Sequence, residues 1–136
     1  MKMRSRTLIA VLLFQLAPAG AQAQNSVAPA SLRQEFDSFL MKFRAALKAN
    51  DAAAVAGMTR LPFMGDPASG DAVRFRAKIY PDLFPANVRR CLARSKPAYD
   101  RDQQGNDNFH IICGEEIFYF TKKPQGFLFT EVGMND

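Results

Sequence analysis

The chain has 136 residues, 18 of them basic and 13 acidic, with two cysteines, twelve phenylalanines and no tryptophan. That length holds one domain with one core and is too short for two ordinary domains. Lys2, Arg4 and Arg6 precede the apolar run Leu8 to Leu16 and the A-x-A step Ala21-Gln22-Ala23, the layout of a secretory signal peptide; once it is removed near Ala23 the chain keeps about +2, too little charge for a nucleic-acid or membrane-surface binder.

The Leu8 to Leu16 run is far shorter than the roughly 20 residues of a bilayer span, so no membrane span is expected and the mature protein is read as periplasmic or secreted. In that compartment Cys91 and Cys113, the only two cysteines, are expected to form a disulfide.

Residues 24–30 are small and polar and read as a leader, followed by a single domain over 31–136. Ser31 and Gln34 fit a capping box, and Leu32, Phe36, Phe39, Leu40, Phe43 and Leu47 return to one face of a helix over 31–49. Asp51 is placed to cap a second helix, Ala52 to Met58. Leu61-Pro62-Phe63-Met64 reads as an extended step, and Gly65-Asp66-Pro67 as a turn.

Between Asp71 and Tyr80 the pattern supports two structures. Val73, Phe75, Ala77 and Ile79 alternate with Arg74, Arg76 and Lys78 as in a strand, while Asp71 could equally cap a helix; Pro81 is expected to end either one. Pro85 suits the first position of a short helix carrying Val88, Cys91 and Leu92 on one face, which Lys96-Pro97 stops. The polar stretch from Ala98 to Asn108 reads as a long loop or a weak edge hairpin.

The last part, Asn108 to Val132, is rich in β-branched and aromatic residues. It divides into strands at Phe109 to Cys113, Ile117 to Thr121 and Phe127 to Val132, joined by turns at Gly114-Glu115 and Lys123-Pro124-Gln125-Gly126. Phe118 and Phe120 face opposite to Ile117 and Tyr119, so one face is expected against the helices and the other against a second layer, a partner or a ligand. The fold class is therefore α+β, with N-terminal helices packed on an antiparallel sheet and a C-terminal β-meander.

Phe36-x-x-Phe39-x-x-x-Phe43 with Asn50-Asp51, Leu61-Pro62-Phe63, Tyr80-x-x-x-Phe84-x-x-x-Val88-x-x-x-Leu92 and the ending Gly114-Glu115-Glu116-Ile117-Phe118-Tyr119-Phe120 together resemble the cystatin-like, nuclear transport factor 2-like superfamily, in particular its small exported bacterial members. The resemblance implies a cone, with helices laid in the concave face of a curved sheet and a pocket between them, and it implies that the sheet's other face forms a homodimer in many members. Its members include isomerases and dehydratases, ligand carriers and protein-binding modules. Tyr80, Phe84 and Tyr119 are the residues it places near such a pocket.

His110, the only histidine, has the chemistry of a general base, but no motif supplies an orienting carboxylate. Glu115 and Glu116 are adjacent strand-type residues and face apart. No phosphate loop, nucleophile elbow or metal-ligand set is found, and no cofactor is expected. The leading expectation is a non-catalytic exported binding domain for a small apolar or amphipathic ligand, with Tyr80, Phe84, His110 and Tyr119 as candidate ligand-binding residues. A periplasmic protein-interaction factor (an inhibitor, immunity or envelope-assembly protein) and a small isomerase-like or hydrolytic enzyme stay open beside it.

Overall fold

The computed structural model describes residues 27–136; the expected signal peptide, its cleavage site near Ala23 and residues 24–26 of the expected leader lie outside the described residues. Helices come first and a four-stranded antiparallel sheet follows, so the chain is α+β. Helix α1 spans Ala30–Lys48 and turns Phe36, Leu40, Phe43 and Leu47 inward. It starts one residue earlier than the expected capping box: Pro29 occupies the cap position, its carbonyl accepts from the Arg33 N–H, and Ser31 lies within the first turn.

Helix α2, Ala52–Gly57, is capped as expected by Asp51, whose carboxylate accepts from the Ala54 N–H at 3.0 Å. The corner between α1 and α2 uses Asn50 at φ 52°, a left-handed conformation that asparagine tolerates better than most residues. Asn50 Oδ1 then accepts from the Tyr80 hydroxyl at 2.8 Å, tying the corner to the next helical stretch. Met58 and Arg60 pair with Phe129 on the free edge of the sheet, after which Pro62 follows a cis bond and 3-10 turns run through Phe63–Gly65 and Pro67–Ser69. The expected extended step at Leu61 to Met64 is thus a bend at the cis bond running into a 3-10 turn, and the extended edge pairing lies just before it.

The ambiguous segment is helical. Asp71 caps it, accepting from the Arg74 N–H at 2.8 Å; α3 is Ala72–Arg74, a π-helical turn covers Phe75–Ile79, and α4 is Tyr80–Leu83. The period-two alternation marked no buried strand face, since Val73 is 69% exposed and Phe75 is fully buried. Pro81 does not end the segment. A proline inside a helix lacks its donor and crowds the carbonyl four residues back, and here the wider turn, with the Tyr80 N–H bonded to Phe75 O, sits immediately before it. Helix α5, Ala86–Arg94, follows with Pro85 at its cap rather than at its first position, and it buries Val88 and Leu92.

The stretch read as a loop or edge hairpin is a hairpin. Strand β1, Ala98–Arg101, pairs with β2, Asp107–Cys113; β2 pairs with β3, Glu116–Lys123; and β3 pairs with β4, Gly126–Met134. The spatial order is β1-β2-β3-β4. Gly114 at φ 67° and Gly126 at φ 130° occupy backbone regions that glycine enters without a Cβ penalty, as their hairpin turns require.

The inner face of the sheet carries Phe109, Ile111, Phe118, Phe120, Phe127 and Phe129, all buried. Phe36 stacks on Phe109 with centroids 3.9 Å apart, Phe43 meets Phe120 edge-on at 5.1 Å, and Phe63 reaches Phe129 at 5.1 Å. Offset and edge-to-face pairs of this kind add to the burial of their area. Cys91 of α5 and Cys113 at the end of β2 stand at disulfide distance, Cα atoms 5.9 Å apart, and the bond spans the β1–β2 hairpin. Among the described residues no helix is long and apolar enough to cross a membrane. The disulfide fits an extracellular protein.

Candidate functional site

The four residues singled out from sequence separate onto two sides of the sheet. Tyr80 and Phe84 are buried on the helical side, where Phe84 packs 5.5 Å from Phe129 and Tyr80 spends its hydroxyl on Asn50. His110 and Tyr119 are paired across β2 and β3 on the outer face, ring centroids 5.7 Å apart. This outer face holds a trough of about 710 Å³ lined by polar side chains from all four strands and rimmed by Arg60, Leu61, Pro62 and Met64.

Strand alternation builds the trough. Residues that face away from the phenylalanine layer are Asp100 on β1, Asn108 and His110 on β2, and Tyr119 and Thr121 on β3. On β4 the alternation is broken by a β-bulge opposite Tyr119 and Phe120: Tyr119 pairs with Glu131 while Phe120 pairs with Phe129. The extra residue lets consecutive Thr130 and Glu131 both line the trough, a re-aiming that regular pleating would forbid.

Part of the floor is internally satisfied. Thr121 donates to Asn108 Oδ1 at 2.7 Å, and its hydroxyl lies 2.9 Å from that of Thr130, which reaches Tyr119 O at 3.3 Å. Asn108 donates in turn to Asp102, and Asp102 also accepts from the Gln104 and Asn106 backbone N–H groups and the Asn106 amide. Those bonds, the Asn106 side chain foremost, hold the Asp102 carboxyl below its ordinary range. They give the β1–β2 hairpin end a fixed shape beside the trough.

Beside the trough, one buried polar atom is not satisfied. His110 Nδ1 is inaccessible to solvent and has no hydrogen-bond partner, while Asp100 Oδ2 stands 3.6 Å away. The imidazole side chain is 21% exposed and the carboxylate 49%, so the acid sits toward solvent and the ring below it. Tyr119 lies against Gly133, where an added Cβ would approach its Cε2 to 3.1 Å. Burial first, then the Asp100 and Glu131 charges, push the Tyr119 hydroxyl above its usual range.

Chemically, the trough offers both donors and acceptors. Asp100, Asp102 and Glu131 accept only when ionised, Arg60 and Lys123 only donate, and Tyr119 supplies a donor and an aromatic edge. The imidazole, with a carboxylate near one nitrogen, has the parts of a proton-exchange pair. Among the described residues no group of three or more histidine, cysteine, aspartate or glutamate side chains is placed to hold a metal ion.

Asp100, Asn108, Thr130 and Glu131 were not singled out from sequence. The signal for Asp100 and Asn108 was present: once Ala98 to Asn108 is folded as a hairpin, its register sets Asp100 opposite Asn108 and diagonal to His110. The bulge that turns Thr130 and Glu131 together has no sequence signature of its own. Comparison with protein-family models, characterised proteins and solved structures finds no match to this chain.

Proposed function

We propose that the protein is an exported binding domain that holds a small polar ligand in the outer trough of its sheet. The observation that carries this reading is the trough itself, where Asp100, Tyr119 and Glu131 converge on one concave polar surface with His110 packed beside Asp100 and Tyr119. A concave surface with a few convergent polar groups is the usual form of a small-molecule site. The space between helices and sheet is occupied by rings, Phe36 on Phe109 and Phe84 near Phe129 among them, so the ligand is assigned to the outer face. Tyr80 and Phe84 act as packing residues in this reading, and His110 and Tyr119 as ligand contacts.

The helices-on-sheet order supports the cystatin-like cone with a C-terminal meander, and the disulfide supports export after cleavage near Ala23. The same outer face would serve a protein partner or a homodimer if its occupant were macromolecular. Thermal shift against panels of sugars, polyols and small amines tests the reading, because a ligand that binds only the folded state raises the melting temperature. A polar compound is expected to stabilise the native chain and to lose that effect in His110→Ala and Tyr119→Phe. Equal stabilisation of native and variant proteins would place the ligand elsewhere.

The Asp100–His110 pair favours one second reading, a general-base enzyme working in the same trough. In that case Asp100→Asn lowers turnover and alters its pH profile with ligand affinity retained. Loss of affinity without any turnover to lose is the outcome of the binding reading.

A further inference from the structure

On the helical side, away from the trough, α1 and α5 leave a groove of about 430 Å³ between them. Its walls are short because Ala45, Ala86 and Ala93 stand where longer side chains would close the gap, and buried Leu47 lies at its base. Four cations surround this apolar strip: Arg44 and Lys48 from α1, Arg89 and Arg90 from α5. No acidic residue lines the groove, and none of the four forms an ion pair among the described residues.

Two of these cations are held in place by the ends of each other's helices. Arg44 donates through Nε to Leu92 O at 2.8 Å and through Nη2 to Ser95 O at 2.6 Å, while Arg89 donates through Nη1 to Leu47 O at 3.4 Å. Carbonyls at helix C-termini suit a cation but do not neutralise it. Arg89 Nε is also inaccessible to solvent and has no acceptor. The groove therefore combines a hydrocarbon-like strip with four cations, of which Arg44 feels Asp37 at a distance and none is neutralised by an ion pair among the described residues.

We propose that this groove binds a single-chain anionic amphiphile, a long-chain carboxylate whose alkyl chain lies on the Ala45, Ala86 and Ala93 strip and whose head is held by Lys48, Arg89 and Arg90. An uncharged chain would leave the cations unpaired, and a small anion would leave the strip wet. Only a molecule with both parts matches the charge and the apolar surface together. The assignment is independent of the trough, which belongs to the other face of the sheet.

The test titrates the full-length mature protein with laurate below its micelle concentration, with dodecanol as the uncharged chain of equal length, followed by calorimetry and by displacement of a fluorescent fatty-acid probe. Saturable binding of one laurate per chain is expected, at least tenfold tighter than dodecanol and weakened by salt. The double variant Lys48→Gln with Arg90→Gln removes two exposed charges that cap neither helix; it is expected to fold normally and to lose laurate affinity about tenfold, while His110→Ala leaves it unchanged. Equal affinity for dodecanol, no saturable laurate binding by folded protein, unchanged affinity in the double variant, or binding only to anionic phospholipid vesicles would each overturn the proposal.

Discussion

The two faces of the sheet are built from the same strands and obey opposite rules. The inner face is a continuous layer of phenylalanines in mutual contact with those of α1, and every large side chain there is explained by burial. The outer face of those strands carries Asp100, Asn108, His110, Tyr119, Thr121 and Glu131, and only part of that set finds partners within the chain. Side-chain alternation makes the contrast possible, since one residue in two is free of the demands of the core. What the fold does not use is concentrated at His110 and its neighbours.

The largest expected effect comes from breaking the inner face. Phe120→Ala opens a hole between Phe36, Phe43 and Phe129 and is expected to lower unfolding free energy by about 3–5 kcal/mol in denaturant melts. An outer-face truncation of similar cost would erase the distinction between the two faces. Next is the bond joining α5 to the end of β2: replacing Cys91 and Cys113 by serine is expected to cost on the order of 3 kcal/mol, through the freedom returned to the unfolded chain. Mass spectrometry with and without reductant checks that the bond is present in protein purified without reductant.

Smaller effects sharpen the division within the outer face. Thr121→Val removes the donor to Asn108 Oδ1 and is expected to cost about 1–3 kcal/mol, because it leaves a buried amide oxygen without its partner. That result would mark the Asn108–Thr121 side of the trough as structural, in contrast to the His110 side.

The smallest effect concerns pH. Tyr80 and Tyr119 are raised mainly by burial, and Tyr99 mainly by its hydrogen bond to Asp107. With folded-state values above unfolded ones, the stability tied to these hydroxyls is fully present below the ordinary tyrosine range and is lost as pH rises through the folded values. Near-UV tyrosinate absorbance is therefore expected to appear late and together with unfolding; early ionisation of a tyrosine in native protein would remove the argument that Tyr119 remains a donor.

Much of the helical part was legible because it rests on local rules. The Phe36 to Leu47 stripe, the Asp51 cap and the Gly114-Glu115 turn each follow from residue spacing and side-chain chemistry, and each is found. The α+β class follows from those elements in order. The 72–83 stretch was not legible, because alternating residues fit a strand while Asp71 fits a helix, and the choice was made by the Asp71 cap and by a wide turn that takes up Pro81. That Tyr119 faces opposite to Phe118 and Phe120 was visible from strand alternation, but which side is the outer one was not. Nor was its company: Asp100 reaches His110 through the register of a hairpin that the sequence left open as loop or hairpin, and Glu131 through a bulge that periodicity does not announce.

The assignment of function to the outer face is tested most directly by native mass spectrometry of the protein purified from the cells that naturally make it, alongside His110→Ala combined with Tyr119→Phe. The expected result is a small-molecule adduct on the native chain that is absent from the variant, with both proteins folded and within about 1 kcal/mol in stability. An adduct carried equally by both proteins, or a bare native mass beside a variant that has lost its fold, would contradict it.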